Sequence, residues 1–140
     1  MTPVADLPPL RSLLDAHDLS PTKALGQNFL LDLNLTARIA RAADPLDGCH
    51  VAEIGPGPGG LTRALLESPA ASLTLIEKDP RTAPILAALA ETEEGRAKGL
   101  RPLFEDALTV DLLGLLPAPR AVVANLPYNV ATPLLVRWLR

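Results

Sequence analysis

Short apolar runs alternate along the chain with segments in which apolar residues recur at three- and four-residue spacing. The first pattern predicts buried strands, and the second is typical of amphipathic helices. We predict strands at residues 50–54, 73–76, 100–104 and 121–124, and helices at 61–67 and 82–93 between them. Alternation of strand and helix indicates right-handed βαβ units, so the expected fold is α/β, with a parallel sheet and flanking helices.

The remaining segments carry weaker patterns. Residues 10–17 predict a short helix between prolines, and Asp32 fits the N-cap of a helix through Leu35, Ile39 and Ala43. Residues 132–139 would begin a further helix. The polar stretch EEGRAKG, residues 93–99, predicts a turn.

The residues that follow the four predicted strands are all able to bind a ligand. They are Gly55, Glu77, Asp106 and Asn125. In an open parallel sheet, ligands bind at the carboxyl ends of the strands. We therefore expect these four positions to form one binding site.

The glycine turn EIGPGPGGLT leaves two ligand classes open. Gly55, Gly57 and Gly60 fit the dinucleotide pattern G-x-G-x-x-G, which would indicate an NAD-dependent oxidoreductase. Gly55, Gly57 and Gly59 fit equally well the G-x-G-x-G turn of many S-adenosylmethionine-dependent methyltransferases. A carboxylate at Glu77 can accept hydrogen bonds from ribose hydroxyls in either case.

The sequence NLPY directly after the fourth predicted strand favours a flat base that bears an exocyclic amine. Asn125 and the carbonyl of Leu126, constrained by Pro127, offer two acceptors for the two amine hydrogens, and Tyr128 offers a stacking face. Such a base could be an adenine of a nucleic acid.

The composition and charge of the chain argue against a general polyanion binder, a metal site and a membrane location. The formal net charge is −3, so general attraction to polyanions is not expected. The chain has one cysteine and two histidines, which are too few for a typical zinc site, and we expect no metal. No apolar run approaches the length of a membrane span, and the first residues lack the pattern of a signal peptide, which predicts a cytoplasmic protein.

Five motifs, in this order and spacing, resemble the KsgA family of small-subunit (16S) rRNA adenine N6,N6-dimethyltransferases: KALGQNFL, EIGPGPGGLT, IEKD, EDAL and NLPYNVATPLL. The Erm-type methyltransferases of large-subunit rRNA share much of this pattern, while ATPLL looks more like the small-subunit enzymes. The resemblance implies a Rossmann-like S-adenosylmethionine-dependent methyltransferase fold, with small-subunit rRNA as the partner and S-adenosylmethionine as the cofactor.

The resemblance also implies a role for each matching residue. Gln27, Asn28 and Leu30 would close over the cofactor, and Gly55, Gly57 and Gly59 would contact its methionine moiety. Glu77 would hold the ribose and Asp106 the adenine amino group.

The catalytic motif implied by the resemblance consists of Asn125, Leu126, Pro127 and Tyr128. Asn125 would lie between cofactor and target, and Tyr128 would stack on the target adenine.

The resemblance further predicts the organisation of the chain. Residues 1–48 would form N-terminal helices and the cofactor-closing segment, and residues 49–140 the first part of the methyltransferase domain, with about four of the family's seven strands. The family's C-terminal helical domain is absent from these residues. We therefore expect catalysis to need more than this chain. The alternative functions are a non-catalytic rRNA-binding ribosome-assembly factor and an Erm-type large-subunit rRNA adenine methyltransferase.

Overall fold

Four parallel strands form the centre of the molecule. A computed structural model describes residues 2–9, 12, 37, 38, 40, 41, 43 and 45–124. Its strands are β1 (His50–Ile54), β2 (Ser72–Ile76), β3 (Arg101–Leu103) and β4 (Arg120–Ala124). The strand order is β3-β2-β1-β4, and all three pairings are parallel. The predicted strands and the parallel sheet are confirmed, although β3 is shorter than its apolar run.

The helices lie between the strands, as the alternating pattern predicts. They are α1 (Gly60–Leu66), α2 (Ala83–Ala90), α3 (Glu93–Ala97) and α4 (Leu112–Leu115). Short 3-10 turns occupy Val4–Asp6, Pro80–Thr82 and Ala107–Thr109. Residues 37, 38, 40 and 41 are also helical. The rest of the helices predicted near residues 10–17 and after Asp32, and the one at 132–139, lie outside the described residues.

Side chains on the two faces of the sheet belong to two separate apolar clusters. One cluster packs Val51, Leu73 and Leu75 against α1 and α2, and the other packs Ala52, Ile54 and Ile76 against the α4 region. Each fully buried aliphatic side chain contributes about 1.5–3 kcal/mol to stability. The central strands β1 and β2 are therefore covered on both faces, as expected for parallel strands with nearly continuous apolar sequences.

The prediction of a turn at residues 93–99 was wrong, because residues 93–97 form α3. Thr92 begins this helix: its Oγ1 accepts a hydrogen bond from Gly95 N at 3.0 Å and donates one to Leu89 O at 2.6 Å. Glu93 and Glu94 occupy the first turn, where acidic side chains interact favourably with the helix dipole. A buried N-cap therefore overrides the polar composition of this stretch.

Residues 2–9 form an N-terminal strap that contacts α1 and α3. Val4 is buried in the larger apolar cluster, and its backbone N–H donates to Glu94 Oε1 at 3.0 Å. Glu93 N donates to Thr2 O at 3.0 Å, and Arg63 Nη2 donates to Pro8 O at 2.7 Å. The strap thus ties the first residues of the chain to two different helices.

Thr92→Val should destabilise the protein by about 1–2 kcal/mol, because it removes the buried cap of α3. Thr109→Val is the matched control, since the Thr109 hydroxyl bonds to Asp106 O on the exposed surface. That control should change the free energy of unfolding by less than about 0.5 kcal/mol. Urea titrations of both variants test this, and equal losses would contradict the assigned cap.

Candidate ligand site at the carboxyl ends of the strands

A tight glycine turn connects β1 to α1. Gly55, Gly57 and Gly59 all adopt left-handed backbone conformations, with φ values of 68°, 56° and 94°. Each such conformation costs other residues about 1–2 kcal/mol. The turn is joined to β2 by a hydrogen bond of 2.9 Å from Gly55 N to Ile76 O. These glycines are therefore required by the backbone path, and Gly60 is the first residue of α1.

Glu77 lies directly after β2 and contacts the glycine turn. Its side chain is buried, with Oε1 accepting from Gly57 N at 2.8 Å and Oε2 accepting from Asp79 N at 3.1 Å. Burial raises the pKa of Glu77, while the hydrogen bonds from the backbone of Asp79 and Gly57 oppose that rise. The structure thus brings together two of the sequence-predicted positions, the turn and Glu77.

Asp106 follows β3 at the same edge of the sheet. Its Oδ1 accepts from Leu108 N at 2.9 Å, and its Oδ2 lies 3.7 Å from Nζ of Lys78, the residue after Glu77. The Lys78 side chain is largely exposed and that of Asp106 is 40% exposed, so this ion pair adds little stability. Asp106 therefore lies beside the Glu77 segment, and its role toward a ligand stays a prediction.

Glu53 is a component of this edge that the sequence interpretation missed. It lies within β1, is 1% exposed, and accepts a hydrogen bond of 2.5 Å at Oε1 from Thr62 Oγ1 of α1. Burial raises the pKa of Glu53 to about 8; the Thr62 hydrogen bond opposes the rise, and the charge of Glu77 adds to it. The available signal was an acidic residue inside an otherwise apolar strand, immediately before a glycine turn.

Seven other predicted site residues lie outside the described part of the chain: Gln27, Asn28, Leu30, Asn125, Leu126, Pro127 and Tyr128. Within the described part of the chain, no group of three or more His, Cys, Asp or Glu side chains is arranged to hold a metal ion. The helices in that same part include none with the length and apolarity needed to cross a membrane.

The sequence profile of the family described as ribosomal RNA adenine dimethylase matches residues 20–140. The chain is 57% identical over 139 residues to ribosomal RNA small subunit methyltransferase A of Jannaschia sp., covering 99% of this chain and 47% of that protein. The protein of the same name from Paracoccus denitrificans is 56% identical, with 99% and 48% coverage. The chain thus spans about half the length of the curated relatives it matches.

Two solved structures resemble the described fold. The 23S rRNA methyltransferase ErmE has a TM-score of 0.60 and 34% identity, over 79% of this chain and 42% of that one. A dimethyladenosine transferase from Plasmodium falciparum has a TM-score of 0.64 and 24% identity, over 80% and 38%. These matches confirm the predicted Rossmann-like methyltransferase fold. They favour the methyltransferase interpretation of the glycine turn over the dinucleotide one.

Gly59→Ala should lower the free energy of unfolding by roughly 2–4 kcal/mol, through backbone strain and overpacking. An added Cβ would lie 2.5 Å from Cδ1 of Leu89, which is buried in α2. Gly48→Ala is the control, because Gly48 also has a positive φ of 71° but no atom within 4 Å of the added Cβ. Chemical denaturation should show the larger loss for Gly59→Ala; equal losses would rule out the close approach of turn and helix.

Glu53→Gln should change how stability depends on pH. The folded-state pKa of about 8 lies above the ordinary value of 4.5, so the folded protein holds the extra proton. The stability that protonated Glu53 adds to the folded state is complete below about pH 4.5. It is lost as the pH rises toward 8, by at most about 1.4 kcal/mol per pH unit.

The free energies of unfolding of wild type and Glu53→Gln, compared at several pH values from 5 to 8, check this expectation. As the pH rises, the wild type should lose free energy of unfolding relative to Glu53→Gln. Glu67→Gln, at an exposed position, controls for the loss of one surface carboxyl. A difference that stays constant with pH for Glu53→Gln would contradict the protonated state.

Proposed function

The chain belongs to the ribosomal RNA adenine dimethylase family, and we propose that the complete protein is an rRNA methyltransferase. It transfers methyl groups from S-adenosylmethionine to N6 of two adjacent adenosines near the 3′ end of small-subunit rRNA. Its partner is the assembling small ribosomal subunit, in the cytoplasm. The names of the curated relatives support the small subunit as the target over the large subunit.

The observation that carries this proposal is the contact between the glycine turn and the buried Glu77 carboxyl, at 2.8 Å. A carboxylate accepts about four hydrogen bonds. Those from Gly57 and Asp79 leave capacity for the two hydroxyls of a ribose. The turn lets a ligand approach the backbone closely, next to the start of α1. Together these residues fit the nucleoside and methionine parts of S-adenosylmethionine.

Further residues of the chain complete the proposed cofactor site. Asp106, at the end of β3, accepts a hydrogen bond from the adenine amino group of the cofactor. Gln27, Asn28 and Leu30 close over the methionine side. These assignments come from the family motifs, and the position of Asp106 beside the Glu77 segment supports its own assignment.

The target base is held by the NLPY motif. Asn125 and the Leu126 carbonyl accept the two hydrogens of the adenine N6 amine, and Pro127 constrains the direction of that carbonyl. This favours a pyramidal nitrogen whose lone pair faces the methyl carbon. Tyr128 stacks on the base and excludes water.

The sulfonium of S-adenosylmethionine supplies an already activated methyl group. The protein's main task is therefore to align the amine for in-line displacement, which can account for a large share of the rate enhancement. The amine proton leaves to a nearby acceptor or to water. No strong general base is needed in this arrangement.

The test is to delete the gene, reintroduce the complete gene as wild type or Asn125→Ala, and quantify dimethyladenosine in rRNA by mass spectrometry. Small-subunit rRNA should lose the modification on deletion and regain it with wild type. Asn125→Ala should transfer methyl groups more than about 100-fold more slowly, a loss comparable to removal of one key hydrogen-bonding group, while still binding S-adenosylmethionine.

Each arm of this experiment has a contrary outcome. Unchanged dimethyladenosine in small-subunit rRNA after deletion would contradict the main proposal and favour an assembly factor. Loss of dimethyladenosine from large-subunit rRNA instead would favour the Erm-type activity. Transfer at the wild-type rate by Asn125→Ala would refute its role as an amine acceptor.

A further inference from the structure

Two buried carboxyls lie on the same face of the sheet, next to the glycine turn. Glu53 of β1 pairs in register with Leu75 of β2. Because side chains alternate along a strand, Glu77, two residues beyond Leu75, extends from the same face as Glu53. Thr62 of α1 bonds to Glu53, and Gly57 of the turn bonds to Glu77. The helix and the turn therefore each fix one of the two carboxyls.

No cation balances Glu53 among the described residues. On the neighbouring strands, its register partners are Leu75 and Val123, and α2 contains no charged side chain. In α1, the Arg63 guanidinium is directed to Pro8 O of the strap. Beyond β2, Arg81 pairs with Asp79 and Lys78 pairs with Asp106. The charged group that acts on Glu53 is thus acidic, namely Glu77.

Burial away from water disfavours the ionised form of Glu53, and repulsion from the neighbouring Glu77 carboxyl adds to this effect, so Glu53 keeps its proton. The pKa of about 8 for Glu53 agrees with this arrangement.

S-adenosylmethionine carries a sulfonium and an ammonium against one carboxylate, and its net charge is positive. Its product, S-adenosylhomocysteine, has lost the sulfonium charge and is neutral overall. The charge beside the turn therefore changes when the methyl group is transferred.

We propose that Glu53 is a proton-exchanging positioning residue of the cofactor site, neutral before the cofactor binds and ionised while S-adenosylmethionine is bound. On binding, the O–H bond of the Glu53 carboxyl breaks and the proton leaves to solvent. When S-adenosylhomocysteine replaces the cofactor, the carboxylate takes up a proton again. Glu53 thereby helps the site to distinguish cofactor from product by charge. This inference rests on the proposed function.

The direction of the expected pH dependence follows from proton linkage. Binding that releases a proton becomes tighter as the pH rises, by at most about tenfold per pH unit for one proton. The affinity for S-adenosylmethionine should therefore increase toward pH 8, the pKa region of Glu53, and level off above it. The affinity for S-adenosylhomocysteine should depend less on pH, because it brings no net positive charge.

The experiment is calorimetric titration of the complete protein with each of the two compounds between pH 6 and 9, in buffers of different ionisation enthalpy. Wild type should release more protons with S-adenosylmethionine than with S-adenosylhomocysteine. Glu53→Gln should lose this excess, and its affinity for S-adenosylmethionine should resemble that of wild type at low pH. Titration of the ligand's own amine is common to both proteins and cancels in the comparison. Glu67→Gln, an exposed carboxyl, should behave like wild type.

A second variant keeps Glu53 in place. Thr62→Val removes the hydroxyl that donates to the carboxyl at 2.5 Å, and with it an interaction that favours the ionised form. The pH midpoint of the affinity for S-adenosylmethionine should therefore shift upward. This variant tests the proposal even where Glu53→Gln does not fold.

The outcomes separate this proposal from the one on which it rests. Three results would overturn the role of Glu53 alone. They are equal proton release by wild type and Glu53→Gln, equal proton release by wild type with both compounds, and an unshifted pH midpoint of the affinity in Thr62→Val. Failure of the wild-type protein to bind either compound would overturn the proposed cofactor, and the role of Glu53 with it.

Discussion

The hydrogen bond from Gly57 N to Glu77 Oε1 is the interaction on which the site depends, because it joins the ends of two neighbouring strands. Parallel register aligns Ile54 with Ile76, so the segments after β1 and β2 leave the sheet side by side. The left-handed glycines then direct the turn toward Glu77, close enough for the bond of 2.8 Å. A substitution that moved either strand end would separate the backbone of the turn from the carboxyl.

Desolvation gives this edge of the sheet its electrostatic character. Glu53 and Glu77 are both buried, and the described cations nearby are engaged by other acidic groups or by the strap. A dinucleotide would bring a negatively charged pyrophosphate to the turn, whereas S-adenosylmethionine would bring positive charge. Glycine spacing alone left both ligands open; the buried carboxyls favour the cationic one for a physical reason that is independent of the motif.

Much of the fold could be predicted from the sequence, because continuous apolar runs in a parallel sheet are distinctive. The strands and the convergence of Gly55, Glu77 and Asp106 at one edge followed from that pattern. α3 could not be predicted in the same way, since its stability comes from the buried Thr92 cap and from contacts with the strap. Glu53 was missed because its importance depends on burial and on Thr62, nine positions away in the next helix. The roles of the GQNFL and NLPY residues stay predictions from the family motifs.

The strap has a consequence for the order of events during synthesis. Val4 and its partner Glu94 are separated by 90 positions, so the first residues leave the ribosome long before the helix that binds them exists. The apolar side chain of Val4 has no complete binding pocket until β1, α1, β2 and α2 have been translated and assembled. Closure of the strap is therefore a late, non-local step, and such contacts form slowly because a long loop must first be ordered. The beginning of the chain is among the last parts to reach its final place.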